Sequence, residues 1–230
     1  MKPAMWVIVG ACVTAGALAV PYQALTTSVS AAIAGLMGWL GLRLWHWSRL
    51  PSFVHSEERG WPLVLAQSGL WMSFGLALGL IILAVLRLVI EPSVPSIGAR
   101  IAAAGTLPIW RRVLIIYVAA VGEEVIFRLI LLSAITGLGA RLLRLGRRAP
   151  MTSVVWVANV IAALAFAAVH LPSWSQAAPM GAGLAASVVA LNALGGITFG
   201  WVFVNRGIVF AMLAHAGADC AIQLLGPLTR

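Results

Sequence analysis

The chain is poor in charge, poorer still in acid, and nearly without lysine, tyrosine or thiol. Only 9% of its 230 residues are Asp, Glu, Lys or Arg, and 62% are hydrophobic. A soluble domain of this size needs far more polar surface, so lipid must be much of the solvent. The mean hydropathy of +1.02 agrees. The two cysteines, Cys12 and Cys220, lie in apolar segments without CxxC or CxxxC spacing. That argues against a disulfide framework or a thiolate metal site and leaves two small buried hydrophobes. No Gly-x-Ser-x-Gly elbow and no His-Glu-x-x-His helix occurs, so two common hydrolase signatures are absent.

Fifteen basic residues stand against six acidic ones, and all of the basic ones but Lys2 are Arg. They fall mostly between apolar stretches, as topology signals and head-group contacts do. No stretch interleaves basic and aromatic residues as a nucleic-acid platform would, and no nucleic-acid partner is expected. Abundant Arg, Ala and Gly point to a GC-rich bacterial genome, and hence to a multi-pass protein of a bacterial cytoplasmic membrane.

A spanning helix needs about 20 largely apolar residues. Seven segments qualify, near 4–21, 25–45, 61–90, 111–137, 151–171, 181–204 and 207–226. The expected fold is all-α: one polytopic transmembrane bundle of about seven spans, forming a single domain over 1–230. Lys2 ahead of the first apolar run resembles a signal peptide, but the many spans that follow favour a retained anchor. The stretch 91–110 carries Pro92, Pro95 and Pro108, so it reads as an interfacial or re-entrant connection. Gly75-xxx-Gly79 and Gly196-xxx-Gly200 read as packing between helices. Lys2, Arg43, Arg49, Arg59, Arg141, Arg144, Arg147, Arg148 and Arg206 fall on one side, which makes the amino terminus cytoplasmic. Arg100, Arg111, Arg112 and Arg230 disagree with that scheme. His46 and His55, in a Trp- and Arg-rich stretch, read as head-group contacts.

Ionisable groups inside spanning segments are costly and point to function. Glu123, Glu124, Asp219, His170 and His215 are such groups; Glu57, Glu58 and Glu91 fall in loops. Positions four apart share a helix face, so Glu124 and Arg128 can pair. A buried ion pair would explain both, but not Glu123, which points elsewhere. His170 precedes Leu171-Pro172 and so lies near the end of its helix, with Phe166 one turn earlier. Alone, it reads equally as a group that stabilises the helix dipole. His215 and Asp219 share a face, with only Ala216, Gly217 and Ala218 between them. A buried hydrogen bond is the plain reading of that pair. Together these residues supply a general base, two imidazoles and a dry pocket, a set able to activate water against a carbonyl.

Glu123-Glu124-xxx-Arg128, Phe166-xxx-His170 and His215-xxx-Asp219, in this order on separate apolar helices, resemble the motifs of the CPBP intramembrane proteases. That family includes the type II CAAX prenyl endopeptidases and the bacteriocin-processing and self-immunity (Abi) proteins. The resemblance covers about 110–226, the motif-bearing core; the first 90 residues carry no family motif. It implies that Glu123 and His170 activate the attacking water, that His215 and residue 219 stabilise the oxyanion, and that Glu124 and Arg128 form a supporting ion pair. Asp219 stands where the prenyl-protein enzymes have Asn, and a carboxylate donates only when protonated, so orienting His215 is the simpler role for it. No cofactor is implied, although His170, His215 and a carboxylate also form a set that zinc accepts. The expected partner, beyond the bilayer, is a peptide or protein substrate at the membrane: a small protein, a propeptide or a lipid-modified tail. A non-catalytic immunity or partner-binding protein and a proton-coupled transporter are the competing readings; no inverted repeat supports the last.

Overall fold

The computed structural model describes residues 3–20, 24–50, 61–144, 150–175 and 180–229. The readings of Lys2, His55, Glu57, Glu58, Arg59, Arg147, Arg148 and Arg230, and parts of the loops at 22–24 and 171–180, lie outside them. All regular structure among the described residues is helical. Helices α1 (Pro3–Ala19) and α2 (Ala24–Ser48) precede α3 (Trp61–Val85), which runs on as a π-helical turn, Leu86–Ile90. The short α4 (Ser96–Ala104) leads to α5 (Ile109–Glu124), a π-helical stretch (Val125–Leu132) and α6 (Ser133–Leu142), which form one continuous helical run. Then come α7 (Thr152–Ala168), α8 (Leu171–Ser175), α9 (Ala182–Arg206) and α10 (Ile208–Cys220), which ends in the turns Ala221–Leu225 and Gly226–Leu228.

Five stretches are long and apolar enough to cross a bilayer: Ala24–Ser48, Leu65–Ile90, Thr152–Ser175, Ala182–Arg206 and Ile208–Leu228. Two of the seven expected segments differ from these. The first forms a shorter apolar helix, Met5–Ala19. The one near 111–137 lies within the run from α5 to α6, which is set apart by Arg111, Arg112, Glu123, Glu124 and Arg128. That run is roughly 50 Å long at 1.5 Å per residue, so length does not prevent it from crossing. Outward faces are apolar, with Leu25 and Leu88 each 77% exposed. Lipid tolerates such a surface and water does not. The chain is an integral, multi-pass membrane protein.

The connection at 91–110 is broken where its prolines stand. Pro95 caps α4 and Pro108 caps α5. Helix α4 turns Ile97, Gly98 and Ile101 inward, and Arg87 reaches from the end of α3 to Glu91 at 2.9 Å and to the carbonyls of Gly226 and Thr229.

Helix α10 packs against α3, α5 and α9, and α7 packs against α9. Small residues set the α3–α10 and α7–α9 crossings, as expected where dispersion rather than water exclusion drives packing. A Cβ on Gly75 or Gly79 would collide with the backbone of Ala214 or Ala218, and one on Gly217 with that of Met72. Gly196 lies against Ala163 and Gly200 against Asn159. Both Gly-xxx-Gly pairs therefore serve contacts within the chain. Between α9 and α10 the chain reverses at Gly207 alone, with φ 100° and ψ 171°, a region open essentially to glycine.

Candidate active site

Among the described residues, Glu124 and Arg128 are the most deeply buried charged groups, at 0% and 1% exposure. Arg128 Nε stands 3.1 Å from Glu124 Oε2 and its Nη2 donates to the Gly196 carbonyl at 3.1 Å. The guanidinium lies over the rings of Phe166 (5.0 Å) and Phe199 (5.9 Å), whose faces attract a cation. Helix α5 turns π-helical at this point, a device that recurs at functional sites. The Arg128 carbonyl accepts from Ser133 Oγ, five residues on, at 3.2 Å.

Glu124 has a second partner. Its Oε1 lies 2.9 Å from Nδ1 of the buried His215; a carboxylate only accepts, so Nδ1 donates. The other nitrogen, Nε2, faces Glu123 Oε2 at 3.6 Å and Asp219 Oδ2 at 3.8 Å. The pair expected from the His-xxx-Asp spacing is thus a loose ion-pair contact. The close partner comes from another helix, 91 positions earlier. Phe199 stacks on the imidazole, with centroids 4.8 Å apart and planes 14° from parallel. Phe166 meets the same ring edge-on at 5.8 Å.

His170 follows the end of α7, in the short turn before α8. Its Nδ1 lies 2.7 Å from the Phe166 carbonyl, which leaves Nε2 as the acceptor of the neutral ring. The Phe166 ring is 4.7 Å from the imidazole. Phe166 therefore holds both histidines in place, a role its i,i+4 spacing to His170 alone did not show.

Glu123, His170, His215 and Asp219 all line one open cavity of about 290 Å³, to which α3, α4, α5, α7, α8, α9 and α10 contribute. Glu124 and Arg128 do not line it; they sit behind His215. The remaining walls are largely apolar, with Ile82, Leu86, Val188 and Leu191 among them. The sequence did not reveal that Asn192, Arg100 and Trp174 also line this cavity. Asn192 spends one amide hydrogen on the Val188 carbonyl at 2.8 Å. Arg100 of α4 lies over the Trp174 ring at 4.2 Å and donates to the Ser173 carbonyl and hydroxyl, and Ser173 Oγ donates to the His170 carbonyl at 2.9 Å. Arg100 thereby ties α4 to the turn that carries His170. Partial burial lowers its pKa from the ordinary arginine value. Its one visible signal was disagreement with the charge scheme of the loops.

Among the described residues, no group of three His, Cys, Asp or Glu side chains is arranged to hold a metal ion. One imidazole nitrogen of each histidine is already committed, to Phe166 or to Glu124.

Residues 105–221, just over half of the chain, match a family model described as Type II CAAX prenyl endopeptidase Rce1-like. No curated protein and no solved structure matches the chain.

Proposed function

The chain belongs to the Rce1-like family of type II CAAX prenyl endopeptidases, and from that membership we propose that it is an intramembrane endopeptidase working by glutamate- and histidine-activated water. The observation that carries this reading is the division at the cavity wall. Glu123, His170, His215 and Asp219 face the cavity, while Glu124 and Arg128 stand behind and hold His215.

In the proposed reaction Glu123 and His170 hold a water, and Glu123 takes its proton as the oxygen attacks the scissile carbonyl carbon. The carbonyl π electrons move onto the oxygen. His215, as an imidazolium held by Glu124 through Nδ1, donates through Nε2 to that oxyanion. Collapse of the intermediate breaks the C–N bond, and the proton on Glu123 passes to the leaving amine. Asp219 lies 3.8 Å from Nε2, so it balances and orients the imidazolium more readily than it donates to the oxyanion. The largely apolar walls lower the local dielectric and so strengthen each of these interactions. The substrate is a peptide or protein that brings an extended segment to the membrane, such as a propeptide, a small protein or a lipid-modified tail.

The test compares membranes from cells with the native chain, without it, and with Glu123→Gln in its place. A peptide that accumulates uncleaved in the second and third, and is cut by the purified native chain, establishes the activity. Identical peptide profiles in all three would favour a non-catalytic immunity or partner-binding role.

A further inference from the structure

The proposed reaction occupies one end of its cavity. Two uncharged carboxamides line it further along, Asn192 on α9 and Gln223 in the π-helical turn that ends α10. We propose that this pair forms a subsite gripping the substrate's main chain about three residues from the bond to be cut. The subsite presupposes the endopeptidase reading, and the substrate it fits is a peptide that enters as an extended, apolar segment.

The two side chains stand at one level of the bundle. Phe199 stacks on the His215 ring, which fixes where α9 and α10 lie abreast on either side of the reversal at Gly207. From that contact Asn192 is seven residues back along α9 and Gln223 eight residues on along α10. At 1.5 Å per residue each lies roughly 11 Å away, in the same direction because the helices run oppositely. Seven residues are close to two full turns, so Asn192 shares the face of α9 that carries Phe199. Gly195 lies between them on that face; it lines the cavity without a side chain and leaves this strip of helix bare. Leu191 and Ile222, the chain neighbours of the carboxamides, belong to one apolar cluster with Ile82, Leu86 and Val188. An extended peptide covers about 3.3 Å per residue, so the pair meets a peptide unit about three residues from the one at His215.

Both side chains keep hydrogen-bonding capacity for a ligand. Asn192 spends one N–H on the Val188 carbonyl, which leaves its other N–H and its oxygen. Gln223 gives its main-chain carbonyl to Arg112 at 3.0 Å, and its carboxamide has no partner among the described residues. Ser187, which lines the same cavity, has already donated its hydrogen to the Gly183 carbonyl at 2.8 Å. A peptide group carried into apolar surroundings must have its N–H and C=O satisfied, and a carboxamide offers a donor and an acceptor to match. The apolar cluster around the pair then receives the substrate's side chains.

Phosphinic peptides test the subsite, because a tetrahedral phosphinate in place of the scissile peptide unit seats against the His215 imidazolium and fixes the register. A series of Ala and Leu residues is lengthened one residue at a time on each side. Calorimetry reads binding to the purified full chain in neutral detergent. Affinity is expected to rise about tenfold in one step, on one side only, near the third residue. An ester in place of that residue's amide deletes the N–H and should remove most of the gain. With Asn192→Leu and Gln223→Met together the step should vanish, and amide and ester should bind alike. Thr198→Val, on α9 but away from the cavity, should keep the step. Absence of a step, equal binding of amide and ester to the native chain, or a step that survives the double substitution would overturn the subsite. The amide-to-ester comparison uses the native chain, so it decides the matter whether or not the variants fold. A phosphinate that binds no tighter than the same peptide with a plain amide would overturn the endopeptidase reading, and the subsite with it. A phosphinate advantage without the step would overturn the subsite alone.

Discussion

Two adjacent glutamates are chemically identical and separated here only by direction. Successive helical residues point about 100° apart, which sends Glu123 to the cavity and Glu124 to Arg128 and His215. Glu123→Gln should therefore abolish cleavage while the protein stays folded in the membrane. Glu124→Ala should instead strand a buried guanidinium and free the His215 ring, a loss of about 3–5 kcal/mol. Thermal unfolding in detergent beside a cleavage assay checks both; equal unfolding of the two variants would contradict the division. The Glu124–Arg128 pairing was legible in the i,i+4 spacing. The Glu124–His215 bond was not, because it joins residues 91 apart and no local period encodes it.

At the scale of elements, the site depends on helices brought closer than ordinary side chains permit. Gly217 lies against the Met72 backbone, so Gly217→Val should lower stability by about 3 kcal/mol or more by forcing α3 from α10. Gly207→Ala should lower it by about 1–3 kcal/mol, because its φ of 100° is strained for any residue with a Cβ. Denaturation in mild detergent reads both effects. Arg100→Lys keeps the charge but loses the two-nitrogen contact with Ser173 and the flat stack on Trp174. It should slow cleavage by the proposed protease while changing the melting temperature little; an unchanged rate would remove Arg100 from the support of His170. Gly-xxx-Gly spacing announced close packing from the sequence, but not which helices meet there.

For the whole molecule, the proposed mechanism fixes how activity should respond to chelation. Water activated by Glu123 and His170 needs no cation, so a strong chelator should leave the purified protein's activity largely intact. A zinc-dependent version would behave otherwise, since the metal polarises the carbonyl and lowers the pKa of its water to about 7. Activity lost on chelation and restored by stoichiometric zinc would recast His170, His215 and a carboxylate as ligands.

Membrane residence and the all-helical class were written in composition and apolar run length, because a bilayer demands both of every segment that crosses it. The three motifs were legible for a related reason: ionisable side chains stand out against apolar helices. Periodicity within one helix says nothing about the rotation and depth of its neighbours, so only the tertiary structure could decide three things. It set Glu124 rather than Asp219 as the close partner of His215, laid Phe199 on that ring, and brought Arg100, from outside the family-matched residues, to the turn that holds His170. Each of these contacts joins separate elements, so no spacing along a single helix encodes it.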